Sequence, residues 1–387
     1  MKLTILTNIL TPYRLPLFEA MRDRVQEFSV LLMAQREENR QWTMGAAPFH
    51  VEVLPGFHVR PWNADVAIHC NYGVGSALRR LNPDVVLNAG FAAANISAFG
   101  YCKLHRRKFV QWAHLSLQDG AHASAVRRQL RHWLIRYADG SIGESSHARE
   151  AFIHYGAPPD RAITATMPLD VVGLRRRVAE ARLRRETSDR LAGLSKPVLL
   201  SIGQIIPRKG YQELFDLYER LLRTHPTASL LIAGDGRDRA RYQEEARRRA
   251  WDNVHFAGFV QASDLPAYFA VSDAFIFHTL YDPFGLVLSE AMAAGVPAVS
   301  SVHAMATLDL VEDGVTGYRI DPRDPDASAA AVRRLLDLPE QRRTAMIDAA
   351  YARVLPCDSR ASADRIVEFL QDCCSTQART VMVSPRA

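Results

Sequence analysis

The stretch Tyr281-Asp-Pro-Phe-Gly-Leu-Val-Leu-Ser-Glu-Ala-Met292 decides how the chain is read. It follows an apolar run, Ala274-Phe-Ile-Phe277, that ends in His278 and Thr279 and reads as a buried parallel strand. Pro283 and Gly285 suit a tight turn into a helix. Leu286, Val287, Glu290 and Ala291 recur at helical spacing, and Gly295-Val-Pro297 stops the helix near Ala294. Two carboxylates result, Asp282 before the helix and Glu290 inside it. Between them lie the N–H groups of Phe284 to Val287. A helix start carries roughly half a positive elementary charge and unbonded N–H groups, so this stretch is a ready anion site.

Working outward, Val198-Leu-Leu-Ser-Ile202 reads as a second buried strand. It runs into the loop Gly203-Gln-Ile-Ile-Pro-Arg-Lys-Gly210 and then a helix from Tyr211. Residues 230–233 form a strand ending in Gly234-Asp-Gly236, and 254–260 form another with its turn. In the first half, strands are predicted at 2–7, 28–32, 51–54, 85–87 and 109–112, with helical patterns such as 74–81 and 93–104 between them. This alternation predicts an α/β protein with doubly wound parallel sheets. Ligands of such sheets sit beyond the carboxyl ends of the strands. Asn8, Tyr13 and Arg14 follow the first strand, Asn88-Ala-Gly-Phe91 a later one, and His114 the strand ending at Trp112. Arg14 reads either as a helix-cap arginine in solvent or as a planar fork for a phosphate. His114 reads either as a satisfied structural histidine or as a ligand contact.

The chain has 387 residues, enough for two domains with their own cores, and 48% hydrophobic with 23% charged residues is ordinary for a globular protein. No apolar run is long enough to span a membrane, and the chain starts directly into a strand rather than a signal peptide. The five cysteines (70, 102, 357, 373 and 374) lack metal-ligand spacing and read as reduced thiols. Residues 1–190 hold 26 Lys and Arg against 17 Asp and Glu, whereas the rest holds 22 against 25. The basic excess is densest between Lys103 and Arg136. Neither Tyr72-Gly-Val-Gly75 nor Gly234-Asp-Gly236 completes a dinucleotide fingerprint, which argues against a nicotinamide-dependent oxidoreductase.

Asp282-x7-Glu290 resembles the E-x7-E signature of retaining GT-B glycosyltransferases of glycosyltransferase family 4, the glycosyl transferases group 1. The likeness rests on the whole string, from the strand before it through Pro-Phe-Gly-Leu-Val and Glu-Ala-Met to Gly-Val-Pro-x-Val. Two positions depart: Asp282 stands where the family usually has Glu, and Gln204 where it has Arg. The resemblance implies a GT-B fold, two doubly wound Rossmann-like domains facing a central cleft. It also implies transfer of a hexose-like sugar from a nucleotide diphosphate sugar to an acceptor hydroxyl, with retention and without a metal or other cofactor. Lys209, with Gly203, Gln204 and Arg208, would hold the donor diphosphate together with Gly285, Leu286 and Val287 at the helix start. Asp282 would hold sugar hydroxyls, Glu290 the ribose, and backbone groups around Phe259 and Val260 the base. His114 would orient the sugar, and Asn8, Tyr13 and Arg14 would meet acceptor or phosphate. The rival reading is a non-catalytic nucleotide-sugar-binding protein on the same fold.

Domain boundaries are expected at 1–175 for an acceptor-binding half, joined by a C-terminal helix at 358–374, and at 196–357 for the nucleotide-sugar half. The Arg-rich segment 172–190 reads as a connector, and 375–387 as a flexible tail. Residues 125–137 form a basic amphipathic helix with Leu130, Trp133, Leu134 and Tyr137 on one face. It is either an ordinary packed helix or, with the rest of 103–137, a contact for anionic membrane. The latter implies a cytoplasmic protein peripheral to the membrane, acting on a lipid-linked glycan in polysaccharide or glycolipid assembly. No nucleic-acid recognition motif accompanies the positive charge.

Overall fold

A computed structural model describes residues 1–37, 46–59, 68–117, 125–184, 191 and 193–381. The chain divides into two compact units, 1–168 with 359–387 and 169–358. The first holds a seven-stranded parallel sheet in the order β3-β2-β1-β6-β7-β8-β9. Its strands are β1 (Lys2–Thr7), β2 (Glu27–Leu32), β3 (His50–Val53), β6 (Val85–Ala89), β7 (Lys108–Ala113), β8 (Gly140–Gly143) and β9 (Ala162–Thr164). A separate antiparallel hairpin, β4 (Gly56–Val59) with β5 (Ile68–Asn71), has no counterpart in the sequence reading. Its strands are short and carry His and Cys rather than a period of apolar residues.

The second unit holds a six-stranded parallel sheet, β12-β11-β10-β13-β14-β15. These strands are β10 (Val198–Ile202), β11 (Ser229–Ala233), β12 (Val254–Gly258), β13 (Ala274–Phe277), β14 (Ala298–Ser301) and β15 (Tyr318–Ile320). The chain builds outward from β10 to β12, then returns to the other side of β10 with β13. That reversal is the topological switch point, where the loops after β10 and β13 diverge and leave a crevice at the strand ends. In the first unit the same reversal lies between β1 and β6. Central strands such as β10, β11 and β13 are near-continuous buried apolar runs, as expected where helices cover both faces of a parallel sheet. Leu199, Leu230, Ile276 and Val299 pack with Leu214, Phe215 and Tyr218 in the second core, and Leu3, Ile5, Val110 and Trp112 with Phe18 and Ile366 in the first.

Three boundaries differ from the sequence reading. Of the expected connector, 172–184 lie in helix Val171–Arg184, whose apolar positions Val171, Leu174, Val178 and Ala181 are buried within the second unit, and 185–190 lie outside the described residues. Their spacing is helical, but the run of arginines between them masks the stripe. The first unit therefore ends at 168 rather than 175. The last helix is Ser359–Val381, so the expected tail is helical through 381, while 382–387 lie outside the described residues. This helix packs on the first unit, where Ile366, Val367 and Leu370 join the core of β1 and β7.

Candidate active site

The second unit brings together the loop 203–210 and the stretch 278–290. Two close approaches shape the first of these. A Cβ on Gly234 would overlap the carbonyl of Gly203, and one on Gly236 the carbonyl of Ile205, so only glycine lets the loop after β11 lie against the loop after β10. The Ile205 N–H then donates to the Asp235 carbonyl at 2.9 Å. These two glycines thus hold the neighbouring loop in place.

Arg208 and Lys209 sit in a short 3-10 turn, Pro207–Lys209. The Arg208 carbonyl accepts the N–H groups of Leu280 (3.0 Å) and Tyr281 (3.2 Å), and its guanidinium donates to the Tyr281 carbonyl at 3.2 Å. Lys209 Nζ is ion-paired with Asp282 and lies 5.7 Å from the centre of the Phe277 ring. Both ends of the pair are largely buried, which strengthens it relative to a surface pair. The sequence reading assigns Lys209 to a diphosphate and Asp282 to sugar hydroxyls as separate tasks; the structure joins them directly. The other Asp282 oxygen accepts the Phe284 N–H at 3.2 Å, which shapes the turn into the helix.

Behind this pair stands His278. Its Nδ1 lies 2.8 Å from the Gly210 carbonyl and its Nε2 2.8 Å from the Ser201 hydroxyl. Burial lowers its pKa to about 4, so the ring is neutral, with Nδ1 donating to the carbonyl and Nε2 accepting from the hydroxyl. Tyr211 packs edge-on at 4.8 Å and donates its hydroxyl to the Gly203 carbonyl at 3.0 Å. His278 thus ties the end of the 203–210 loop to β13. Sequence reasoning names it only as a strand end, because nothing in local spacing reveals a partner 68 residues away.

Helix Leu286–Ala294 begins at Gly285, whose φ is +99°. A Cβ there would come within 2.6 Å of the Phe277 ring, so a larger residue is excluded on two grounds. No side chain caps this helix start, which leaves the first-turn N–H groups of Leu286 and Val287 for a ligand. Glu290 is half-buried on the helix, and among the described residues nothing donates to its carboxylate. Desolvation pushes its pKa up to about 7. Phe259 and Val260 follow β12, in the turn after Gly258, and both are partly exposed. Gln204 is likewise partly exposed, and its carbonyl accepts the Ile206 N–H at 3.1 Å.

In the first unit the residues after β1, β7 and β8 meet around Glu144, which the sequence reading does not single out. Its carboxylate takes His114 Nε2 at 2.6 Å on one oxygen and Arg14 at 3.1 Å on the other. Burial alone would raise the Glu144 pKa, but His114 and Arg14 outweigh it and bring the value to about 2. Arg14 is not a helix-cap arginine in solvent, one of the two readings given to it. Arg14 is 8% exposed, donates also to Thr7 at 3.1 Å, and stacks over Trp112 at 4.5 Å. Its planar fork is held among strand ends, and Tyr13 beside it is half-exposed. Asn8 donates to Glu37 at 2.9 Å. His114 keeps 26% of its side-chain surface open.

The amphipathic helix is Ala125–Arg136. Leu134 and Ile135 are buried, whereas Trp133 and Tyr137 are about half exposed, with Trp133 4.6 Å from Phe99. Leu104 and Val126 are also exposed, as are Arg127 and Arg128. Part of 103–137, namely 118–124, lies outside the described residues. Among the described residues no helix is long and apolar enough to cross a membrane, and no group of His, Cys, Asp or Glu is arranged to hold a metal ion.

Comparison with known proteins agrees with this geometry. Residues 185–353 match the family Glycosyl transferases group 1. Glycogen synthase of Mycobacterium tuberculosis is 30% identical over 269 residues, 67% of this chain, and the chain spans 62% of that relative's length. A GDP-mannose-dependent alpha-(1-6)-phosphatidylinositol monomannoside mannosyltransferase of Mycolicibacterium smegmatis is 33% identical over 175 residues, 42% of this chain and 44% of that one. Among solved structures, Anabaena Alr3699/HepE in complex with UDP superposes with a TM-score of 0.75 at 20% identity, covering 96% of this chain and all of that one. Residues 185–353, within the second unit, are thus similar to the glycosyl transferases group 1, and the chain has the GT-B fold of two doubly wound domains.

Proposed function

We propose that the protein transfers a hexose-like sugar from a nucleotide diphosphate sugar to an acceptor hydroxyl, with retention at the anomeric carbon. The observation that carries this reading is the pairing of Lys209 with Asp282 beside an uncapped helix start, on the element that also bears Glu290, to whose carboxylate nothing donates among the described residues. Breaking the anomeric C–O bond leaves negative charge on the diphosphate. Lys209 and the N–H groups of Leu286 and Val287 are fixed donors for that charge, and preset donors of this kind lower barriers without reorganising. Donor binding would draw Lys209 to the diphosphate and release Asp282 to the sugar hydroxyls. Glu290 would accept from the ribose, and backbone groups near Phe259 and Val260 would meet the base. This reading asks for no metal, because the ammonium and helix dipole supply the positive charge.

His114 is the first-unit residue assigned to the sugar, with Glu144 and Arg14 as its positioning residues. For the acceptor, the half-exposed Trp133 and Tyr137 beside Arg127 and Arg128 support a lipid-linked glycan at an anionic membrane surface on the cytoplasmic side. The mannosyltransferase relative, whose name places its sugar on a phosphatidylinositol glycan, supports the same class. The UDP complex of the structural neighbour supports a nucleoside diphosphate as leaving group.

The test is nucleotide release from a panel of nucleotide sugars, with and without lipid-linked acceptors. Release that depends on Lys209 supports transfer. Saturable binding with no release under any donor and acceptor pair would favour a non-catalytic binding protein.

A further inference from the structure

The Arg-rich segment that the donor site leaves unused has its own geometry. Helix Val171–Arg184 runs beside the far end of Leu286–Ala294, whose cap is Gly295. The Arg175 guanidinium lies against Gly295 so closely that a Cβ there would overlap its Nη1, and it stacks over Tyr351 at 5.1 Å. Arg182 donates to the Gly295 carbonyl at 3.5 Å. Arg343, from helix Glu340–Val354, donates to the Asp273 carbonyl, and its positive charge acts on Arg182. Burial, and after it the charges of Arg175 and Arg343, push the Arg182 pKa down, as expected for like charges held together.

Capping the helix does not account for three guanidiniums. A helix C-terminus offers roughly half a negative elementary charge against three full positive ones. Acids do not make up the difference. Arg176 and Arg177 on the same helix pair with Glu180 and Asp170, yet among the described residues no carboxylate pairs with Arg175, Arg182 or Arg343. Arg175 Nη1 is buried without any hydrogen-bond partner. A buried donor left unpaired is uncommon and costs free energy until something accepts from it.

We propose that Arg175, Arg182 and Arg343 form a second anion site, at the opposite end of Leu286–Ala294 from the donor site, for a multiply charged phosphate. Guanidinium forks match phosphate oxygens in pairs, and three such charges suit a diphosphate or triphosphate better than a single carboxylate. The same chemistry is available from a soluble polyphosphate or from a phosphate-bearing lipid headgroup.

The test measures tripolyphosphate binding by calorimetry in a Lys209→Ala background, which weakens competition from the donor site. Adding Arg182→Gln or Arg343→Gln is expected to weaken binding at least tenfold while circular dichroism stays unchanged. Vesicles of phosphatidylcholine with and without phosphatidate form the second arm. Partition that falls with the same substitutions assigns the site to a lipid headgroup; unaffected partition with weakened tripolyphosphate binding assigns it to a soluble ligand. Tripolyphosphate and phosphatidate binding that both ignore the two substitutions would overturn the proposal. Uridine diphosphate affinity on the wild-type background should not respond to Arg182→Gln, so this site and the donor site succeed or fail separately.

Discussion

Lys209 and Asp282, 73 residues apart in the chain, form an ion pair at the carboxyl ends of two adjacent parallel strands, β10 and β13. Each is the other's nearest counter-charge, so any ligand that engages one must rearrange both.

The first prediction follows from that coupling. Lys209→Ala removes a fixed donor to the leaving diphosphate and leaves Asp282 unpaired. Transfer is expected to slow by about 10²–10³-fold. Steady-state kinetics on purified, folded protein check it, and undiminished turnover would remove Lys209 from the reaction. Asp282→Glu restores the family's usual side chain with one more methylene. It should keep the ion pair and retain more activity than Asp282→Asn.

Glu290 and His278 lead to opposing pH dependences in the same unit. The Glu290 pKa is raised from 4.5 to about 7, so the folded state binds the extra proton and loses stability as pH rises from about 4.5 to 7. The His278 pKa is lowered from 6.5 to about 4, so the folded state resists protonation and loses stability as pH falls from about 6.5 to 4. The two slopes largely cancel between about 4.5 and 6.5. Glu290→Gln should therefore expose a clear rise of stability with pH over that range, measured by urea unfolding of the second unit's transition. A profile as flat as the wild type's would contradict this account.

The same carboxyl should couple nucleotide binding to pH. Ribose hydroxyls donate, so they favour the ionised form and lower the Glu290 pKa on binding. Uridine or guanosine diphosphate should bind more tightly as pH rises from 6 to 8, beyond the change due to the nucleotide's own titration. Glu290→Gln serves as the control, and it should weaken binding and remove the excess dependence. Calorimetry in buffers of different ionisation enthalpy reads the released proton.

Glu144 is the corresponding prediction for the first unit. Replacing it by Gln leaves the buried Arg14 without its counter-charge, and breaking a buried pair in this way costs about 3–5 kcal/mol. Because the Glu144 pKa is depressed to about 2, its contribution is present above about 4.5 and lost as pH falls through 2. Acid unfolding of the variant should show a shallower slope there. A loss of turnover larger than the loss of stability explains would mark Glu144 as positioning His114.

The surface around Trp133 gives the last prediction. Flotation with vesicles containing anionic lipid should carry the protein, and added salt should release it, because contacts between exposed charges are screened. Trp133→Ala with Arg127→Gln should reduce flotation several-fold. Equal recovery with neutral and anionic vesicles would refute the membrane contact.

By itself the sequence determined the alternation of strands and helices, the helix start at 285–287 and the two acids flanking it. These are local properties: apolar period, glycine and proline at turns, and carboxylates within a few residues of a helix end. It also carried the family likeness, since that string is contiguous. Tertiary structure alone decided the partners. Glu144 grips His114 and Arg14 because three strand ends converge, His278 ties two loops because β10 and β13 are neighbours, and Arg182 reaches the Gly295 carbonyl across separate helices. Pairings between residues far apart in the chain depend on which strands lie side by side, and no local pattern of side chains encodes that order.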